Sequence, residues 1–506
     1  MSHRLDGLTE ERLGALASQR IVERIWQRDP SVWGGTPDTP EIADRLGWLT
    51  VIDAMRSEIA RLRGLARDVA RRFDRVVLLG MGGSSLAPVV LHAAHEPRTG
   101  APEFQMLDSI HPSAVRAVEA TGPLDRTLFV VASKSGTTIE TQSLLQYFWH
   151  ATGKRADQFV AITDGGTPLA ALASSQGFLD LLVNPSDIGG RYSALSLFGL
   201  APAALVGVDP EAVLDGASDM VRACGRTTEL SENPGAVLGA WIGGAALDRR
   251  DKLAIDLPGD LAWLGMWIEQ LVAESTGKDG RGILPVLDMT GVPRSEVAEV
   301  RYERAAKAAA LAGETLRLAA ARGPQVGAEF FRWEFATALA CSMLGVNPFD
   351  QPNVAESKRN TLDVLERGGA GEAPRPVRRR AIEAFQDGVR PGDYVAVCAW
   401  LPPSPEHDRR LRELQSILAE RLGVVVTVGY GPRFLHSTGQ LHKGGPPTGH
   451  FVQLLEPVGS DLPIPGAPYS FGRLLAAQAE GDRHALRERG RPVLQVDNLT
   501  HFLETV

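Results

Sequence analysis

From residue 75 onward, short β-branched runs alternate with helical patterns, and this alternation restricts the possible folds more than any other feature of the chain. The runs occupy residues 75–79, 103–107, 128–132, 159–163 and 181–183. Strands covered by helices on both faces read as nearly continuous apolar stretches, and the clearest of these runs do so. The pattern predicts parallel strands joined by crossover helices, a doubly wound α/β unit. A second alternation starts at 252–257 and 282–286 and resumes at 394–400, 424–429 and 451–456, around a largely helical stretch over 328–365. Helical patterns also fill about 201–248. Before residue 75, segments 11–27 and 41–73 carry apolar residues at helical spacing, broken apart by Pro30 and the Gly34-Gly35 pair. The expected organisation is a helical N-terminal segment over 1–74, a first α/β domain over 75–205, a second over 206–460 with inserted helices, and a C-terminal extension over 461–506. The Gly/Pro-rich stretch 368–376 reads as a linker.

Composition narrows the function class. The chain has 506 residues, of which 44% are hydrophobic and 23% charged, so it buries large cores without needing disulfides or metals. Its net charge of −8 and its lack of a dominant basic patch argue against a dedicated nucleic-acid binder. Aromatic residues make up 6%, which suggests no stacking platform for single strands. The basic run 375–380 reads as a solvated helix start. Cys224, Cys341 and Cys398 lie far apart with no CxxC pair, so neither a zinc ribbon nor a disulfide framework is expected. The charged N-terminus does not read as a signal peptide, and the longest apolar stretch, 195–208, is too short to span a bilayer. The expectation is a reduced, cytoplasmic protein that engages neither membrane nor nucleic acid.

Two strand-to-helix turns carry chemistry. In the first, LGMGGSSLAP over 79–88, Gly80, Gly82 and Gly83 permit a tight turn and close approach to a ligand. Ser84 and Ser85 open a helix whose N-terminal amides attract anions. A dinucleotide site, with Asp108 ending a later strand, competes with this reading, although Ser85 replaces the third glycine of that fingerprint. A glycine turn used only for packing is the plainer alternative. In the second, VVASKSGTTIET over 130–141, Ser133, Ser135, Thr137 and Thr138 put four hydroxyls into six residues. That exceeds what a helix cap requires and suits a monophosphate.

Together these turns suggest a sugar-phosphate isomerase (SIS) domain, and the chain resembles the phosphoglucose isomerases. The resemblance extends through GGRYSALSLFGLAPAALVGVD over 189–209, EQLVAESTGK over 269–278 and FDQPNVAESK over 349–358. FLHSTGQLHKGG over 434–445 looks like the isomerase half of fused transaldolase/phosphoglucose isomerases, whose transaldolase half the chain has no room for. The resemblance implies two SIS-type doubly wound parallel-sheet domains and interconversion of glucose 6-phosphate and fructose 6-phosphate through a cis-enediol. It implies no metal or other cofactor, and a homodimer. Ser84, Ser133, Ser135 and Thr138 match the family's phosphate-binding positions, and Lys134 would contribute mainly its backbone amide. Gly83, Thr137, Gly190 and Gln351 complete the expected substrate-binding set. Glu274 matches the base that moves the proton between carbons 1 and 2, a task that suits a partly buried carboxylate. Arg191 would stabilise the enediolate, and Lys358, seven residues after Gln351, would touch the sugar oxygens during ring opening.

The chain departs from the family at one step. The family's GTNGQH-like segment, which follows the base and supplies the ring-opening histidine, has no counterpart here, because residues 280–303 contain no histidine. STGQLH over 437–442 is the nearest similar string, and we expect it to replace that segment, with His442 as the ring-opening group. His436 is the rival and His450 a third candidate. Two further functions stay open: an isomerase of another sugar phosphate such as mannose 6-phosphate, and a non-catalytic sugar-phosphate sensor. A sensor needs the phosphate clamp but not a base, so Glu274, Arg191 and Lys358 together argue against it.

Overall fold

The computed structural model describes residues 7–96, 98–288, 296–304, 310–312, 315–367 and 377–506. The expected linker at 368–376 lies outside the described residues. The first sheet contains β1 (Arg75–Gly80), β2 (Glu103–Leu107), β3 (Thr127–Ala132), β4 (Phe159–Asp164) and β5 (Asp180–Asn184), in the order β2-β1-β3-β4-β5. All its pairings are parallel, with Leu79 opposite Leu107 on one side and Val131 on the other. The central strands β1 and β3 are buried along their whole length, as their continuous apolar sequences require.

The second alternation divides into two sheets. The strands β6 (Lys252–Asp256), β7 (Leu284–Val286), β8 (Val297–Glu303), β9 (Ala310–Ala312) and β10 (Thr315–Ala319) form a sheet ordered β7-β6-β8-β10-β9, with β9 antiparallel. The strands β11 (Tyr394–Trp400), β12 (Val425–Tyr430), β13 (Gly449–Leu455) and β14 (Val493–Val496) form a parallel sheet ordered β12-β11-β13-β14. The sequence pattern predicts a single second α/β domain over 206–460; its strands instead form two sheets, one mixed and one wholly parallel like the first sheet.

The sequence pattern did not anticipate β8, β9, β10 and β14. The charged residues Glu299, Arg301 and Glu303 interrupt the apolar pattern of β8, and β14 is four residues long. Because β14 pairs with β13, the segment 461–506 is built into the third sheet rather than appended to it. In the N-terminal segment, regular α-helix begins at Val51 rather than at residue 41. Glu41 has a left-handed φ of 58°, and the Gly47 amide donates to the Asp187 carbonyl, so 41–46 is irregular and Gly47–Thr50 is a short 3-10 turn of helix.

Two features position the cleft. First, one hydrophobic core joins β1 and β3 (Val77, Leu79, Phe129) to β11, β13 and helix Phe471–Glu488 (Tyr394, Phe451, Leu474), so the first and third sheets pack as one body. Second, helix Ala262–Thr276 is buried nearly all round through Leu264, Trp267, Ile268, Leu271 and Val272. A helix without a solvent face is held by packing on every side. It stops at Gly277, where an added Cβ would lie 2.4 Å from the Leu441 Cα. Leu271 is fully buried, so Leu271→Ala is expected to cost about 2–5 kcal/mol. A lowered denaturant midpoint at unchanged slope would report that loss.

Candidate active site

The loops after β1, β3, β4 and β5 leave the carboxyl edge of the first sheet, where open α/β folds place their ligands. They line a cleft of about 610 Å³ together with helix Ala262–Thr276, the start of helix Pro352–Glu366 and the loop after β12. Gly82 adopts φ +54°, and a Cβ there would sit 2.7 Å from both the Gln270 amide nitrogen and the His436 carbonyl. A Cβ on Gly83 would lie 2.1 Å from the Gly190 carbonyl oxygen, so the two glycine loops meet backbone to backbone.

The structure brings most of the expected residues together. Gly83, Ser84, Lys134, Ser135, Thr138, Gly190, Arg191, Glu274, Gln351 and Lys358 all line the cleft. Ser133 is buried behind the cleft wall and reaches it through Thr138, with hydroxyls 3.0 Å apart. Thr137 faces a smaller cavity of about 140 Å³ instead, and its hydroxyl lies 2.9 Å from that of Ser135. The Lys134 ammonium is taken up by Asp164 and by the Ser186 carbonyl, which leaves its backbone to the turn.

Arg191 is the most constrained side chain in the cleft, with only 3% of it exposed. Its Nε donates to Ser275 Oγ at 2.9 Å and its Nη1 to Gln351 Oε1 at 2.8 Å. Its Nη2 donates to the carbonyls of Pro348 and Asp350 at 2.6 and 2.9 Å. Nη1 also lies 3.6 Å from Glu274 Oε2. Glu274 is buried on the last turn of its helix and accepts from Gln270 Nε2 at 3.1 Å. A second buried cation, Lys278, pairs with Asp350 at 2.8 Å and donates to the Asn347 carbonyl, fixing the turn that receives Arg191. Burial, with Arg191 nearby, lowers the Lys278 pKa to about 8 against the opposing pull of Asp350.

His442 requires a correction. It points away from the cleft, buried on helix Gly439–Gly444 among Phe451, Phe434 and Tyr394, with the Phe451 ring centroid 5.0 Å away. Neither ring nitrogen has a hydrogen-bond partner among the described residues. The histidine that lines the cleft is His436, on the short helical turn Arg433–His436 after β12. Its Nε2 lies 2.8 Å from Oε1 of the buried Glu140, which also accepts from Gln478 Nε2 at 2.6 Å. Burial raises the Glu140 pKa, but the charge and hydrogen bond of His436, with Gln478, outweigh it and hold the carboxyl below the usual range. His450 lies on β13 beside Asp393, outside the cleft.

Sequence reasoning missed Glu140 and Gln270. Glu140 sits at the end of the hydroxyl-rich motif, where it reads as an ordinary first-turn acid, and Gln270 lies one turn before Glu274. The dinucleotide alternative also fails on geometry. Asp108, its ribose acceptor, is locked in an ion pair with Arg433. Among the described residues, no group of three or more His, Cys, Asp or Glu side chains is placed to hold a metal ion, and no helix is long and apolar enough to cross a membrane.

A family model described as phosphoglucose isomerase matches residues 18–283, just over half of the chain. The chain belongs to the phosphoglucose isomerase family. A curated glucose-6-phosphate isomerase from Synechococcus elongatus is 26% identical over 500 residues, covering 84% of this chain and 89% of the relative. One from Carboxydothermus hydrogenoformans is 29% identical over 404 residues, covering 65% of this chain and 86% of the relative. Among solved structures, a hypothetical protein from Thermus thermophilus superposes with a TM-score of 0.60 at 24% identity, covering 72% of this chain and 99% of its own. A glucose-6-phosphate isomerase from Chlamydia trachomatis gives 0.58 at 18%, covering 72% and 87%. These two likenesses speak to the fold. The family match ends before Gln351, Lys358 and His436, and the structure brings all three to the cleft.

Burial first, then Lys443 and Arg491, push the His442 pKa well below 6.5. The unfolded chain therefore binds a proton that the folded chain refuses. This stability is fully present above about pH 6.5 and is lost as pH falls below it. His442→Phe should flatten the acid limb of the melting temperature between about pH 6.5 and 5. Parallel limbs in the two proteins would contradict the assignment.

Proposed function

We propose that the cleft interconverts glucose 6-phosphate and fructose 6-phosphate by proton transfer through a cis-enediol. The observation that carries this reading is the Arg191 guanidinium 3.6 Å from the Glu274 carboxylate, in the same cleft as Ser84, Ser135 and Thr138. The hydroxyls and helix-start amides of 133–138 hold the phosphate. His436, paired with Glu140, acts with Lys358 on the ring oxygens. The anomeric hydroxyl gives up a proton, the ring oxygen gains one, the C1–O5 bond breaks and the C1 carbonyl forms. Glu274 then takes the C2 proton of the open chain, leaving an enediolate whose charge Arg191 faces. Returning that proton to C1, with the hydroxyl proton moved from O2 to O1, gives the ketose. A sensor of sugar phosphates would have no use for the buried pairing of Glu274 with Arg191.

Cytoplasmic location, read from the composition and the scattered cysteines, and a homodimer, implied by the family resemblance, belong to the same reading. The division into domains over 1–74, 75–205 and 206–460 comes from the alternation of strand and helix patterns, with 461–506 joined to the last of these because β14 pairs with β13. Every group invoked above comes from one chain, including His436.

The direct test follows glucose 6-phosphate formation from fructose 6-phosphate with a chelator present. The wild type should turn over undiminished, and Glu274→Gln should lose about 10²–10⁴-fold in kcat. Equal rates for the two proteins would remove Glu274 from the role of base. A second test uses doubly tagged hetero-oligomers of Glu274→Gln and His436→Asn chains. If each site is complete in one chain, they stay inactive. Recovery of about half the wild-type activity would mean that subunits share sites across a two-fold interface.

A further inference from the structure

We infer that the Arg433–Asp108 ion pair is the positioning device that delivers His436 to the cleft, and that its contribution is confined to ring opening. This rests on the assignment of His436 made above. Asp108 directly follows β2 at the carboxyl edge of the first sheet. Arg433 opens the helical turn that His436 closes, after β12 of the third sheet. The two residues are 325 positions apart in sequence and meet through two parallel hydrogen bonds, Nε to Oδ2 and Nη2 to Oδ1, the second at 2.7 Å. Only 18% of the arginine side chain and 4% of the aspartate side chain are exposed. A bidentate guanidinium–carboxylate pair fixes orientation as well as distance, which a single contact does not.

Phe434 and Leu435 bury the middle of the turn in the core shared by the first and third sheets, and its other polar restraints act further along it. His436 itself is held by Glu140, and the hydroxyl of Ser437 donates to Glu269 Oε1 at 3.3 Å. Each is a single hydrogen bond, and the packing of Phe434 and Leu435 is non-directional. The Arg433–Asp108 pair adds a two-point directional restraint, three residues before the imidazole. It does not line the cleft, so it acts on the sugar only through His436. Neither Glu274 nor Arg191 contacts it through any described hydrogen bond. A loosened turn should therefore slow the breaking and closing of the C1–O5 bond and leave phosphate binding in place.

Ring opening is separable from isomerisation. A Glu274→Gln enzyme cannot carry the carbon-bound proton, yet it still opens and recloses the ring, which exchanges the α and β anomers of glucose 6-phosphate. Saturation-transfer NMR reads that exchange directly. In the Glu274→Gln background, adding Arg433→Met or Asp108→Asn should each lower enzymatic anomer exchange about 10²-fold, as a displacement of about 1 Å does elsewhere. Combining the two should cost no more than either alone, because they remove one interaction. Arg433→Lys should recover only part of the loss, since an ammonium lacks the planar fork. The affinity for glucitol 6-phosphate, an open-chain ligand with the same phosphate, should stay unchanged throughout and so report an intact fold and phosphate site. Anomer exchange that survives both substitutions, or glucitol 6-phosphate affinity that falls in step with it, would overturn the inference. If Glu274→Gln alone shows no exchange above the spontaneous rate, the ring-opening role of His436 fails, and this inference fails with it.

Discussion

The guanidinium of Arg191 is the point at which three separate pieces of the chain become one site. It belongs to the loop after β5. Its donors end on Ser275 of the buried helix, on Gln351, and on the carbonyls of Pro348 and Asp350. A guanidinium has five donors in a rigid plane and no acceptor, so it can cross-link partners that would otherwise drift apart. Burying a cation this deeply is costly unless its donors are satisfied. The turn 348–351 supplies that satisfaction and is itself held by Lys278 through Asp350. The remaining charge faces Glu274, beside which an enediolate would form.

Much of this was legible in the sequence, for identifiable reasons. The inner strands β1, β3 and β4 of the first sheet are buried on both faces and so read as continuous apolar runs, and the ends of all five strands lie within a residue or two of those expected. Ser84, Arg191 and Glu274 sit in compact motifs whose residue types follow from their chemistry. β8 was hidden because alternating charges along it resemble a solvated segment, and β10 because its five residues carry a charge at their centre. The contact of β14 with β13 was hidden because a four-residue strand carries little periodic signal.

The choice between His436 and His442 shows where one-dimensional reading stops. Both lie in one short motif, six residues apart, and the string STGQLH favours the second. The deciding facts are three-dimensional. The short helix that starts at Gly439 turns His442 into an aromatic core, while Glu140, almost 300 positions away, captures His436. A first-turn glutamate after a phosphate-type loop gives no local hint that its partner lies on a different sheet.

The span of the Arg433–Asp108 and His436–Glu140 contacts bears on how the molecule is made. Synthesis proceeds from the N-terminus, and domains generally fold as units in that order. While the last third of the chain is still on the ribosome, the face of the first sheet that packs on β11, β13 and helix Phe471–Glu488 has no cover. Such a nascent chain already has the anion-binding loop, Arg191 and Asp108, but Asp108 and Glu140 must then wait as charges without their later partners. Both partners arrive on a single short turn after β12. The arrival of that turn closes contacts of very long sequence separation, the kind whose loop-closure entropy slows folding. Completion of the site therefore waits on these contacts, because the cleft lacks its histidine until the turn after β12 meets the first sheet.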